Sequence, residues 1–186
     1  MITAIVLASG YSSRMGENKL LLLKDNIPMI EHIFRELYKI NFYKVIVVTQ
    51  YNEIKILAKS YGYTSIINNS PQIGISQSIK LGVENTNIDS NFMFFTGDQP
   101  FLTGKVIQKI IDIFDDKYIV VPRFLDENKS PVIFAKKYRE ELLRLDGDIG
   151  GKEVIKNNLT NVKYLNFFYG KYFLDIDTME EYKKIR

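Results

Sequence analysis

Thr3-Ala4-Ile5-Val6-Leu7-Ala8-Ser9-Gly10-Tyr11-Ser12-Ser13-Arg14-Met15-Gly16-Glu17-Asn18-Lys19 opens on a short apolar run and breaks abruptly into small and polar residues. Such a run, too short for a helix and without alternation, reads as a strand buried on both faces of a parallel sheet. Behind it, Ala8, Ser9 and Gly10 let a ligand approach the backbone closely, and Gly10 is free to take conformations barred to other residues. A succession of turn-forming residues aims several N–H groups into one concavity, which suits phosphate oxygens. Arg14 adds a planar cationic fork and Lys19 a mobile point charge. Neither the G-x-x-x-x-G-K-S/T loop nor the G-x-G-x-x-G fingerprint occurs in this stretch. The plain alternative is an ordinary strand-to-helix connection that holds two cations.

Working outward, residues 44–49, 64–67, 92–96 and 118–122 repeat the short apolar pattern. Amphipathic segments lie between them. Pro28 suits a first helical position, with Ile30, Ile33, Phe34 and Leu37 on one face beyond it. Val106, Ile107, Ile110, Ile111 and Phe114 form a second stripe, with Thr103 as N-cap, and weaker helices are expected over 52–61 and 75–85. This alternation predicts an α/β fold: one doubly wound, mainly parallel sheet with helices on both faces. Ligands of such sheets bind outside the carboxyl ends of the strands, where the polar clusters of this sequence fall. After Pro122 the rhythm changes. Strands are expected at 130–134, 162–165 and 171–174, and helices over 136–145, over 148–157 and from Thr178. No linker separates the halves, so residues 1–186 read as one domain, with a nucleotide-binding half of about 1–122 and an acceptor-binding elaboration of about 123–186.

Hydrophobic residues make up 46% and charged residues 25%, which argues against disorder. Twenty-five basic against 22 acidic side chains leave a net charge of +3, too small an excess to point to nucleic acid. The absence of cysteine removes disulfides, thiol catalysis and Cys-ligated metal centres. Residues 2–7 lack a basic leader and are too short for a membrane span, so a cytoplasmic protein with no membrane partner is expected. The single histidine, His32, has no His or Cys partner and reads as structural.

Two acidic motifs follow strands. Asp98, in Thr96-Gly97-Asp98-Gln99-Pro100, sits where a hard oxygen ligand could hold Mg²⁺, or where a turn aspartate could cap the next helix. Asp175-Ile176-Asp177-Thr178 offers a second acidic pair, of which Asp177 also resembles a helix cap. Ser76, in Gly74-Ile75-Ser76-Gln77-Ser78, is either a ligand donor or an N-cap. Gly147-Asp148-Ile149-Gly150-Gly151-Lys152 is either an anion site ahead of a short helix or a turn joining two helices.

The opening loop, continued through Lys19-Leu20-Leu21-Leu22, resembles the signature L-A-(A/G)-G-x-x-x-R-M-G-x-x-K of the molybdenum cofactor nucleotidyltransferases, whose superfamily includes sugar-phosphate nucleotidyltransferases. The resemblance implies that Leu7, Ala8, Ser9 and Gly10 hold a nucleotide, and that Arg14 and Lys19 neutralise its phosphates and act catalytically with Asp98. It implies Mg²⁺ on Asp98 and Asp177, with Asp175 as second choice, and a base and ribose wall of Asn69, Pro71, Gly74 and Ser76. Acceptor contacts fall to Ser130, Pro131, Gly147, Asp148, Gly150 and Lys152. Three positions depart from the pattern: Ser9 replaces Ala or Gly, its hydroxyl altering the contact with the base; Lys129-Ser130 replaces Gly-His; and Met179 replaces Pro. Lys-Leu-Leu-Leu after the loop resembles the cytidylyltransferase branch, implying transfer from CTP to the molybdenum-pterin cofactor with release of pyrophosphate. Two alternatives are a GTP-dependent enzyme (or one using another small-molecule phosphate) and a non-catalytic carrier serving a molybdenum hydroxylase apoenzyme.

Overall fold

The computed structural model describes residues 1–12 and 15–185, so the expectations for Arg14 lie outside the described residues. In chain order the elements are β1 (Ile2–Ala8), β2 (Leu23–Lys24), β3 (Ile27–Pro28), α1 (Met29–Tyr38), β4 (Lys44–Thr49), α2 (Asn52–Ser60), β5 (Thr64–Ile67), α3 (Ile75–Glu84), β6 (Asn91–Thr96) and α4 (Gly104–Asp112). The second half adds β7 (Ile119–Phe124), β8 (Glu127–Asn128), β9 (Val132–Phe134), α5 (Arg139–Leu143), α6 (Gly151–Asn157), β10 (Val162–Asn166) and α7 (Met179–Ile185). The main sheet runs β10-β7-β9-β6-β1-β4-β5, with β8 paired to β7. β1 is parallel to both β4 and β6, β4 to β5, and β7 to β10, whereas β9 is antiparallel to β6 and β7. The changed rhythm after Pro122 thus marks two reversed strands, β8 and β9, in a mainly parallel sheet.

Alternation along β1 divides the core. Ala4, Val6 and Ala8 face α1, α2 and α4, packing with Phe34, Ile54 and Ile107. Ile5 faces the opposite side, with Ile79 of α3, Leu142 of α5 and Ile155 of α6. Helices therefore cover both faces, as the pattern predicts. A third cluster of Met15, Met29, Ile176 and Tyr182 ties the opening loop to the C-terminal segment.

Several boundaries depart from expectation. Pro28 precedes α1 as its N-cap residue, because it closes the β2–β3 hairpin whose central residues Asp25 and Asn26 both have positive φ. The expected strand at 171–174 is a 3₁₀ turn over Gly170–Phe173, which inserts Phe173 edge-on against Phe167 at 5.0 Å. The helix expected over 136–145 is a 3₁₀ turn, Lys136–Tyr138, followed by α5. Thr103 caps α4 as expected, its hydroxyl accepting from Val106 N. Thr103→Ala should therefore cost about 1 kcal/mol, read as a lower urea midpoint at constant m.

Candidate active site

The register pairs Leu7 with Thr96 and Ala8 with Thr49, so the turns after β1, β4 and β6 share one rim. Side chains after β4 hold the opening loop by its carbonyls. Thr49 Oγ1 donates to Ala8 O at 3.0 Å, Gln50 Nε2 to Ser9 O at 2.8 Å and the Tyr51 hydroxyl to Gly10 O at 2.8 Å. Gln50 and Tyr51 were not legible as site residues, although their place after a strand was a signal. The Ser9 hydroxyl donates inward to Val48 O at 3.2 Å and Ser9 is buried, so this hydroxyl anchors the opening loop to β4. Nor does Gly10 use a glycine-only conformation: among the described residues of the loop, Ser12 and Gly16 have positive φ.

Asn18 caps a 3₁₀ turn over Lys19–Leu21, and the Lys19 amide donates to Ser12 Oγ, which fixes the lysine at the rim. Its ammonium bridges two carboxylates, Asp98 Oδ2 at 2.5 Å and Asp177 Oδ1 at 2.7 Å. Burial alone would lower the Lys19 pKa, but Asp98 and Asp177 together hold it above its ordinary value. The backbone supports the same junction, with Ile176 N donating to Asp98 O at 3.1 Å. Asp177 does not cap α7. That place belongs to Thr178, whose hydroxyl accepts from Glu181 N, while Glu181 accepts from the amides of Asp177 and Thr178 in a capping box. The T-x-x-E spacing was the signal for it, and the capping leaves the Asp177 carboxylate to Lys19.

Asp98 Oδ1 is buried with no hydrogen-bond partner among the described residues. An orphaned carboxylate oxygen beside a second carboxylate fits a hard divalent cation. Among the described residues no group of three or more acidic or imidazole side chains forms a complete metal cage.

Asp175 lies beside this pair rather than in contact with Lys19. Burial of its carboxyl, then the negative charge of Asp98 and Asp177, pushes its pKa from 3.8 up to about 6, against the opposing Gln99 amide and Lys19. One flank of the residue stays open to solvent, which limits the penalty. The sign follows from linkage. Below 3.8 the group is protonated whether folded or not and costs nothing; the penalty builds as pH rises from 3.8 to about 6, where the unfolded chain ionises first, and is complete above 6. Asp175→Asn should therefore raise the urea midpoint of the metal-free protein at pH 7.5 and leave it unchanged below pH 4. Equal midpoints at pH 7.5 would show that the carboxyl carries no penalty.

Beyond Asp175 an open cavity of about 810 Å³ lies on the α3–α6 side of the sheet. Its floor is apolar, with Ile75, Ile79, Phe94 and Phe134, and its rim is polar, with Gln99, Arg123, Ser130 and Lys152. Of the expected acceptor residues, Ser130 and Lys152 reach this wall. Pro131 is buried behind it, after a cis peptide bond. Gly147 and Asp148 brace α3 instead: Gly147 O accepts from Ser76 N at 3.3 Å and Asp148 Oδ1 from Ile75 N at 3.4 Å, while Gly150 packs against Ile75. These contacts occupy amides of α3, not those of α6, ahead of which the anion site was expected; Gly151 and Lys152 of α6 line the cavity.

Of the expected base wall, Asn69 is exposed and Pro71 begins a 3₁₀ turn; the buried asparagine is Asn68, which bonds Ser78. Gly74 precedes α3, and Ser76 lies within its first turn, fully buried with an unpartnered hydroxyl, so N-capping by Ser76 is ruled out. His32 bonds Lys24 O. Among the described residues no helix is long and apolar enough to cross a membrane.

The MobA-like NTP transferase domain family matches residues 4–162. A probable molybdenum cofactor guanylyltransferase of Pyrococcus horikoshii is 29% identical over 148 residues, covering 76% of this chain and 73% of that protein. The chain also matches longer streptococcal GlmU bifunctional proteins, of which it spans 24–31%. A nucleotidyl transferase structure from Methanothermobacter thermautotroptrophicus superposes with a TM-score of 0.86 at 20% identity, covering 100% of this chain and 96% of the other. A manganese complex of Rv0371C from Mycobacterium tuberculosis H37Rv gives 0.81 at 21% identity, covering 99% and 96%. The shared architecture is the nucleoside-diphospho-sugar transferase fold.

Proposed function

The chain belongs to the MobA-like NTP transferase family, and on that premise we propose that it moves a nucleoside monophosphate from a triphosphate to the terminal phosphate of the molybdenum-pterin cofactor. The observation that carries this reading is Lys19 bridging Asp98 and Asp177 at the rim shared by the opening loop. A cation and two carboxylates drawn from three distant segments are the equipment for binding a polyphosphate with its metal ion.

An oxygen of the acceptor phosphate attacks the α-phosphorus in line. The new P–O bond forms as the bond to the bridging oxygen breaks, and pyrophosphate leaves with that electron pair. A phosphate monoester is largely ionised at neutral pH, so no general base is needed. What remains is positioning and neutralisation of charge. Lys19 exchanges a carboxylate for phosphate oxygens, Arg14 adds a second cation, and Gln50 and Tyr51 hold the loop in place. Asp98 and Asp177 would hold Mg²⁺, which supplies Lewis-acid neutralisation of triphosphate charge.

Lys19-Leu20-Leu21-Leu22 favours CTP through its resemblance to the cytidylyltransferase branch, whereas the 29% identical relative is named a guanylyltransferase, which favours GTP. A carrier for a molybdenum hydroxylase would have no use for the Lys19 bridge. Pyrophosphate release with CTP or GTP, with and without the molybdenum-pterin cofactor, separates the readings. Cofactor-dependent release with one nucleotide is expected. No release with either would overturn the proposal, and cofactor binding without release would leave the carrier.

A further inference from the structure

Arg123 is on the antiparallel-strand side of the cavity, away from Lys19. The parallel register sets it against Asn166 of β10, so Tyr164, two residues earlier, is its diagonal neighbour on the same face of the sheet. The guanidinium carbon lies 3.7 Å from the centroid of the Tyr164 ring, and Nε donates to Asn128 Oδ1 at 3.1 Å. Stacked on one side and tied at one edge to a neutral amide, the guanidinium is held in plane. Its charge is not spent, because Arg123 makes no ion pair among the described residues.

The other lysines of the wall divide in two. Lys129 is paired to Glu127 at 2.6 Å, whereas Lys152, at the start of α6, has no acidic partner among the described residues. Arg123 and Lys152 thus give the cavity wall two cations without an acidic ion-pair partner among the described residues, with Asp126 of the adjoining hairpin exposed on the same wall. Asp175 and Gln99, which neighbour Asp98 and Asp177, line the cavity as well. β9 lies between β6 and β7, so the backbone at Arg123 stands two strand spacings, roughly 10 Å, from β6, whose end carries the Asp98 turn.

We infer that Arg123, with Lys152, binds a second anionic group of the acceptor, distinct from the phosphate that reacts, and that Tyr164 is the positioning residue for Arg123. The inference rests on the transferase reading and goes beyond it by naming a bipolar acceptor.

The test combines kinetics with a local binding signal on the full chain. In Arg123→Gln the acceptor KM should rise at least tenfold, with nucleotide KM and kcat at saturating acceptor within about twofold of wild type. Tyr164→Leu should follow it, and Tyr164→Phe, which keeps the ring, should not. In parallel, inorganic phosphate is titrated while the backbone amide resonances of Gly151 and Lys152 are followed. Saturable shifts are expected in the wild type and should be lost in Arg123→Gln. An active enzyme whose acceptor KM is unmoved by Arg123→Gln overturns the inference and leaves the transferase reading standing. Wild-type inactivity overturns that reading, and the phosphate titration then decides the anion site alone: unshifted wild-type amides reject it.

Discussion

Replacing Lys19 with methionine is expected to lower kcat/KM for nucleotidyl transfer by about a hundred- to a thousand-fold, the loss typical of one group that stabilises transition-state charge. The methionine keeps the length and packing of the side chain and removes only the ammonium. The same substitution should strengthen the binding of Mn²⁺ to the nucleotide-free protein. In the present arrangement the Lys19 ammonium neutralises Asp98 and Asp177 at 2.5 and 2.7 Å, so a divalent ion entering without nucleotide must displace it. Removing the competitor leaves two adjacent carboxylates with their repulsion unrelieved, and a cation relieves it. The pair of outcomes, turnover down and bare-metal affinity up, distinguishes loss of a working cation from general damage, which would lower both. Pyrophosphate release gives the first and Mn²⁺ electron paramagnetic resonance the second. Wild-type turnover in Lys19→Met would remove the central support of the proposed function. Asp98→Asn should lose turnover comparably but weaken Mn²⁺ binding, since it discards a ligand and not a competitor.

The Lys19–Asp98 contact was legible in the sequence for a general reason. Runs such as Val6-Leu7 and Phe94-Phe95 announce parallel strands, and parallel strands bring whatever follows their carboxyl ends to one rim. Nothing comparable announces where a reversed strand inserts. β9 entering between β6 and β7, and β10 lying outside β7, decide that Tyr164 sits under Arg123, and neither follows from local pattern. Short apolar segments are ambiguous for the same reason. Tyr172-Phe173-Leu174 carries strand-forming residues, but tertiary packing of Phe173 against Phe167 curls it into a 3₁₀ turn. The contact of Asp148 with Ile75 N of α3, 73 residues earlier in the chain, is likewise a tertiary one that no local pattern announces.

Gly74 shows how a glycine in a loop can be decisive while another is not. Its backbone, at φ 111° and ψ −172°, occupies a region open essentially to glycine alone. A Cβ there would stand 2.5 Å from Gly147 O and 2.7 Å from Asp148 N, which are backbone atoms with no rotamer to change. Gly74→Ala must therefore push apart the turn that braces α3 through Ser76 N and Ile75 N. We expect a loss of about 3 kcal/mol or more, combining backbone strain with a steric clash, measured by urea unfolding. Because Ile75 and Ile79 of α3 line the acceptor cavity, the acceptor KM should rise with it, even in molecules that remain folded. Gly10→Ala is the matched comparison: its Cβ would meet nothing within 4 Å, and its φ is not positive. Its stability should stay within about 0.5 kcal/mol of wild type. Equal stability of the two variants would mean that the contact with Gly147 yields easily. The α3 wall would then be adaptable, not a fixed template for the acceptor.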